Sequence, residues 1–284
     1  MTLAETQPDQ IPATIRGYRS PAKPFRGNRD VAGNAIVPLE LNSIGLWLKL
    51  LFGSVSTYGS GPYTHEFSIL DSLDYESGIS AVIDKGHPDL TLYYKYNGIG
   101  CTTFDVSFGG DGELTGNFGL TGYKETKGTS PYEASPTDWS SVATRFDNFE
   151  ASALEGGSTI ATLETFTISM NNNLDVAYCI GDSGYKSAWC GGIIALTGTL
   201  TGIFDGDTLL AKGRAQTETS LQIGCTDGSN SLTFYIDECT LSYNSPPIDT
   251  PNGLRLNLTY TAFYDNESAA SCMWAHLVNS QASY

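Results

Sequence analysis

The sequence predicts a mainly β fold in which a hairpin-rich unit of about a hundred residues occurs twice. Three observations carry that expectation. Apolar and polar residues alternate strictly over long stretches, as in strands with one buried face. The composition is turn-rich and poor in charge, with 31 Gly and 16% charged residues, which fits an all-β chain. Finally, two long hairpins recur. Cys101–Phe108 with Glu113–Tyr123 matches Cys239–Asn244 with Gly253–Tyr264, Cys101 being set on Cys239. Each follows a short alternating run (Leu90–Tyr96 and Phe234–Ile236) and, before that, a helical signal (Ile44–Phe52 and Thr208–Lys212).

Residues 1–30 read as an extended arm that can add a strand to the first unit, although Pro8, Pro12, Pro21 and Pro24 argue against regular structure within it. The first unit spans 31–124. Ala35–Leu41 is a candidate strand, and Ser43 a candidate N-cap for a helix ending near Gly53. That helix is apolar nearly all round, so it is expected to be sandwiched. Thr64–Leu70 and Ile79–Asp84 follow as strands. In the long hairpin, alternation puts Phe104, Val106, Phe108, Leu114, Phe118 and Leu120 on the core face. Thr103, Asp105, Ser107, Thr115, Asn117 and Thr121 take the other face.

A linker is expected at 125–145, rich in Ser, Thr and Pro. The second unit, 146–265, opens with Leu163–Met170. An Asn171-Asn172-Asn173 turn and an excursion through Trp189 follow, and Ile193–Phe204 returns. Asp205 or Asp207 can cap the second helix and Gly213 can end it. The tail, 266–284, carries no clear periodic signal.

The formal charge is −16, from 15 Lys and Arg against 31 Asp and Glu. A surface that grips nucleic acid needs the opposite balance. The charge is uneven: residues 1–30 hold Arg16, Arg19, Lys23, Arg26 and Arg29 against Glu5, Asp9 and Asp30. A basic arm on an acidic body suggests docking on a neighbour. No apolar h-region marks the first thirty residues, so an export signal is not expected. The six cysteines form no CxxC pair and read as reduced and mostly buried.

Chemistry is hard to find. His65, His87 and His276 sit in no metal-ligand pattern, and no nucleophile-elbow, P-loop or dinucleotide motif is present. Asp111-Gly112-Glu113 and Asp205-Gly206-Asp207 could hold a cation but read better as turns or caps. Asp237 and Glu238 point to opposite sides of a strand. No catalytic residue, metal site or cofactor is expected.

In this setting the sequence resembles the tail tube proteins of long-tailed bacteriophages. The resemblance rests on Ile36–Val55 with Gly61–Phe67, on Phe166–Leu174 with Leu196–Gly202, and on the two hairpins, and it covers roughly 30–265. It implies a β-sandwich with a flanking helix, whose hairpins join those of neighbours in a β-barrel ring. Stacked rings form the tube through which DNA leaves the capsid. The duplication favours the trimer-forming, pseudo-hexameric kind over a hexamer. Tail terminator and tail-tip or baseplate proteins are the implied partners, with tape measure protein and DNA passing through without specific binding. The implied location is the virion tail, assembled in the host cytoplasm. The competing expectation is another β-rich virion protein, such as a tail-tip or carbohydrate-binding module.

A conduit for DNA needs a lumen that repels phosphates or leaves them alone. Thr103, Asp105, Ser107, Glu113, Thr115 and Asn117 are therefore expected to line it, with Thr197, Thr199, Thr201, Asn257, Thr259 and Thr261 from the second unit. Arg255 departs from that pattern and needs an acidic partner or a place at a rim. The arm at 14–34 is the expected ring-to-ring contact.

Overall fold

The computed structural model describes residues 1–15, 17–70, 79–139, 145–245, 254–264 and 271–284. The chain opens with β1 (Ala4–Thr6), β2 (Asp9–Gln10), β3 (Phe25–Arg26) and β4 (Asp30–Pro38). Helix α1 (Ile44–Phe52) leads to β5 (Gly53–Tyr58), β6 (Tyr63–Ile69) and β7 (Ala81–His87). Then come β8 (Leu92–Phe108), β9 (Thr115–Gly122), β10 (Lys124–Gly128), β11 (Ala151–Glu155) and β12 (Ser158–Thr159). The second half holds β13 (Leu163–Asn171), β14 (Asp175–Ala177), β15 (Ala188–Cys190) and β16 (Ala195–Ile203). Helix α2 (Thr208–Ala215), β17 (Thr219–Thr226), β18 (Ser231–Leu241), β19 (Arg255–Ala262) and β20 (Trp274–Asn279) complete it.

These strands make an antiparallel sandwich. The first layer runs β1-β4-β9-β8-β13-β16-β19, with the end of β18 beyond β19. The second runs β11-β17-β18-β20-β6-β5. β18 belongs to both layers: Ser231–Tyr235 pairs with β20, and Cys239–Leu241 with β19. β8 behaves alike. Its first part pairs with β7 and β10, and its second part with β9 and β13. The run Leu90–Tyr96 is therefore not a separate element, since Leu92 onward is the start of one 17-residue strand.

The core lies between the layers. Phe104 and Phe108 of β8 meet Phe234 of β18 at ring-centroid distances of 5.8 and 6.3 Å. Each buried aromatic of this kind contributes roughly 2–3 kcal/mol through area removed from water. All six residues assigned to the core face of the first hairpin are buried. Helix α1 packs Leu48 and Leu51 inward and sets Trp47 5.2 Å from Phe118, while Leu46 stays exposed, so the helix covers an edge of the core rather than being enclosed. Ser43 precedes it without a side-chain cap; the Glu40 carboxylate accepts from the Asn42 and Ser43 amides instead. Gly53 ends it at φ 87°, where a side chain would be strained. α2 runs past Gly213 to a left-handed Gln216, because Gly213 is needed for close approach: a Cβ there would lie 2.7 Å from the Ser242 carbonyl oxygen.

One strand pattern occurs twice. The pairs β1–β4, β4–β9 and β9–β8 have the same order as β13–β16, β16–β19 and β19–β18. In each set a helix follows the second strand. Gly33 faces Leu120, and Gly198 faces Tyr260. In that same register Asn117 matches Asn257 and Thr121 matches Thr261. Cys101 then stands level with Leu241, not with Cys239. The sequence pairing is therefore two residues out, and β8 carries a register shift just past Cys101.

Several segments are more ordered than their composition suggests. Ala4–Thr6 is a strand despite the surrounding prolines. β10 (Lys124–Gly128), which runs from the end of the expected first unit into the expected linker, pairs with β8. β20, in the expected tail, pairs with both β18 and β6 and so ties the second half to the first.

Candidate assembly surface on the long sheet

Strands β4, β9, β8, β13, β16 and β19 turn their polar sides to one face. Pairing sets Ile36, Asn117, Asp105, Ser169, Thr197 and Thr261 abreast in one row. Parallel to it, Ser107 faces Thr167 and Thr199 faces Thr259. A further row sets Thr165, Thr201 and Asn257 side by side. Side chains opposite each other on one face stand about 5 Å apart, close enough to bond. Ser169 Oγ donates to Asp105 Oδ1 at 2.6 Å, and the Thr167 and Thr199 hydroxyls are 2.8 Å apart. Hydroxyls satisfied by one another leave a surface that is polar but carries few charges.

Of the expected residues, Asp105, Ser107, Thr197, Asn257, Thr259 and Thr261 are exposed on this face. Thr103, Thr115, Asn117, Thr199 and Thr201 are half-buried there. Glu113 is not in the ladder. It lies in the β8–β9 turn, bridged to Asp147 and ion-paired with Arg145. Thr165, Thr167 and Ser169 also belong to the face. Their alternation with Phe166, Ile168 and Met170 would have identified them. Two apolar residues, Ile36 and Ile203, are exposed on it as well.

Arg255 sits at one end of the face. Its guanidinium makes two bonds to the Glu164 carboxylate, at 2.8 and 3.0 Å. These bonds hold Glu164 below the usual carboxylate range and push Arg255 up. The one cation of β19 is thus already matched.

The arm is anchored at both feet. Asp9–Gln10 pairs with Phe25–Arg26, Gln7 Nε2 donates to the Gly27 carbonyl at 3.0 Å, and Arg29 pairs with Glu5 at 2.7 Å. The described residues 11–15 and 17–24 belong to the loop between those feet. Arg19, Lys23 and Arg26 are exposed, whereas Arg29 is partly covered over the Tyr185 ring at 4.7 Å. Arg16 lies outside the described residues. Asp30–Asn34, counted within the arm at 14–34, is part of β4 and buries Val31. Its alternation with Val31 and Ala35 made it strand rather than arm.

The other candidates form no site. His65 is buried on β6, with Nε2 facing Asn279 Oδ1 and the Gln281 carbonyl oxygen at 3.1 and 3.0 Å, and Nδ1 2.8 Å from the Thr57 hydroxyl. Those partners suit the neutral ring protonated at Nε2, and burial lowers its pKa. His87 ends β7, and His276 pairs with Glu66. Among the described residues no group of three His, Cys, Asp or Glu could hold a metal. Asp111 sits in a turn between positive-φ glycines, and Asp207 precedes α2. All six cysteines are free; Cys101, Cys225 and Cys239 are buried, but Cys179 and Cys190, in the excursion, are exposed.

Compared with known families, the chain matches the family model of the phage tail tube protein over residues 2–262. It belongs to that family. A search of curated proteins finds no match. This tube protein is a structural component of the virion, not an enzyme, and its place is the phage tail. The antiparallel sandwich with long hairpins and two short helices is the form in which it does so.

Proposed function

We propose that three copies of this chain close a pseudo-hexameric ring, each giving eight inner strands to a barrel of about twenty-four. The observation that carries this reading is the recurrence of one four-strand order in one register, with Gly33 and Gly198 at matching places. The units at 31–124 and 146–265 are then two copies of one building block. An open layer with β1 at one side and the end of β18 at the other leaves pairing groups to satisfy. Closure with neighbouring copies satisfies them.

The polar face lines the lumen. Its Thr, Ser and Asn hydroxyls and amides offer DNA no fixed cations, and Arg255 is held by Glu164. Lysines or arginines there would retain phosphates through counterion release. DNA and tape measure protein pass over this surface without specific binding. Rings stack through the basic arm, end on a tail terminator and a tail-tip or baseplate protein, and assemble in the host cytoplasm.

Electron microscopy of assembled tubes, averaged without imposed symmetry, tests the reading. Three chains per ring, with Thr103, Asp105 and Ser107 toward the channel, are expected. Six chains per ring would overturn the duplication, and Phe104, Val106 and Phe108 on the channel wall would overturn the lumen assignment.

A further inference from the structure

The two ends of the long sheet are chemically opposite. At one end springs the loop 11–24, beside Asp30 of β4 and Gly122 of β9. Gln10–Arg29 contains five basic residues and no acid. The loop also exposes large apolar side chains, Ile15 at 99% and Tyr18 at 82% of their full area. A loop anchored at both feet by strand pairing, yet presenting apolar groups to water, has the composition of an unfilled contact.

The opposite end lies a strand length away, about 25–30 Å. Its turns and the start of β13 hold Asp111, Glu113, Asp147, Glu150, Glu164, Asp205 and Asp207. The cations of those same turns among the described residues, Arg145 and Arg255, are already paired with Glu113 and Glu164. Between these acids opens a cleft of about 260 Å³, with Phe108, Ile160, Leu163, Phe166 and Ile223 among its lining. It is large enough for one branched or aromatic side chain.

We infer that the occupant of this cleft is the loop 11–24 of a second copy, stacked head to tail. This rests on the proposed ring and names the surface on which the arm lands. Ile15 or Tyr18 fills the cleft, while Arg19, Lys23 and Arg26 face the carboxylates of Asp111, Glu150 and Asp205. Charge complementarity selects this end over the loop's own end, where Lys124 and Lys186 already stack on or hold Tyr185, Asp30 and Thr121. A contact between unlike ends does not close on itself and propagates as a filament.

The test begins with unsubstituted tubes. Carbodiimide, which joins Lys to carboxylate without a spacer, followed by peptide mass spectrometry, is expected to link Lys23 to Asp111, Glu150, Asp205 or Asp207 of another copy. Links from Lys23 only to acids elsewhere overturn the inference. Charge reversal gives the second readout. Arg19→Glu with Arg26→Glu, or Asp111→Lys with Asp205→Lys, is each expected to shorten tubes at least about tenfold while leaving rings. All four changes in one chain are expected to restore length. If the loop reversal stops stacking but the acidic-end reversal does not, the acceptor is wrong and the arm reading stands. If loop reversal leaves stacking intact, both fall. If a variant does not fold, the cross-link map of the unsubstituted protein decides.

Discussion

The two four-strand sets keep the same pairing but differ in nearly everything attached to it. In the first set the opening strand is three residues long, and in the second nine. The first helix buries six of its nine residues; the second buries only Leu210 and Gly213. The first set carries β7 and β10 as an outgrowth of β8, whereas in the second β18 is flanked by β17 and β20. What is kept is the sheet and its register. What varies is the means by which each set is held to the rest of the molecule. In the proposed ring, assembly constrains the face and the ladder, and the supports are free to diverge.

The sharpest way to break the comparison is at its matched glycines. A Cβ on Gly198 would lie 1.9 Å from the Thr167 carbonyl oxygen and 2.5 Å from the Tyr260 hydroxyl, which reaches across to donate to that same oxygen. A Cβ on Gly33 would lie 2.5 Å from the backbone of Leu3, just ahead of β1, an edge strand of three residues paired only along β4. Gly198→Ala is expected to cost about 3 kcal/mol or more and Gly33→Ala about 1–2, read by urea unfolding of unassembled protein. Equal costs would mean that the edge strand is as firmly held as β13.

The helices give the next largest difference. Leu48→Ala removes a fully buried side chain between α1 and the sheet and is expected to cost about 3–4 kcal/mol. Leu210→Ala, in a helix with one buried large apolar residue, is expected to cost about 2 kcal/mol. Thermal unfolding of the two variants orders them, and the reverse order would make α2 the main support.

The smallest expected effect concerns pH. His65 lies in the first half and bonds to Asn279 and Gln281 at the far end of the chain. Its pKa is lowered by burial, so the unfolded chain binds a proton more readily than the folded one. Stability from this group is complete above the ordinary histidine range near 6.5 and falls as pH drops through and below it. Unfolding free energy measured between pH 8 and 5 is expected to decline, and to decline less in His65→Gln. An unchanged slope in the variant would place the proton uptake elsewhere.

Most of the first layer was legible because period-2 alternation is a local signal. Phe104, Val106 and Phe108 against Asp105 and Ser107 leave one orientation for the strand. The acceptor for Arg255 was not legible, because Glu164 is 91 residues away and adjoins a register shift. Nor was β1, whose residues pair with Asp30–Ala32 only because the loop between them is closed by other contacts. β20 was hidden for a related reason. Its order comes from neighbours on both sides, β18 and β6, more than from any turn or cap of its own. The extent of β8 was misread because its partners change along its length while its own conformation does not.

That change of partners has a mechanical consequence. Ladder hydrogen bonds run perpendicular to the strand. A pull along β8 therefore loads its bonds to β7 and β10 at one end and to β9 and β13 at the other simultaneously, in shear. Peeling would load them one by one. A 17-residue strand gripped in this way acts as a tie rod through the subunit, stiff in tension along its own axis and yielding only where the sheet itself bends.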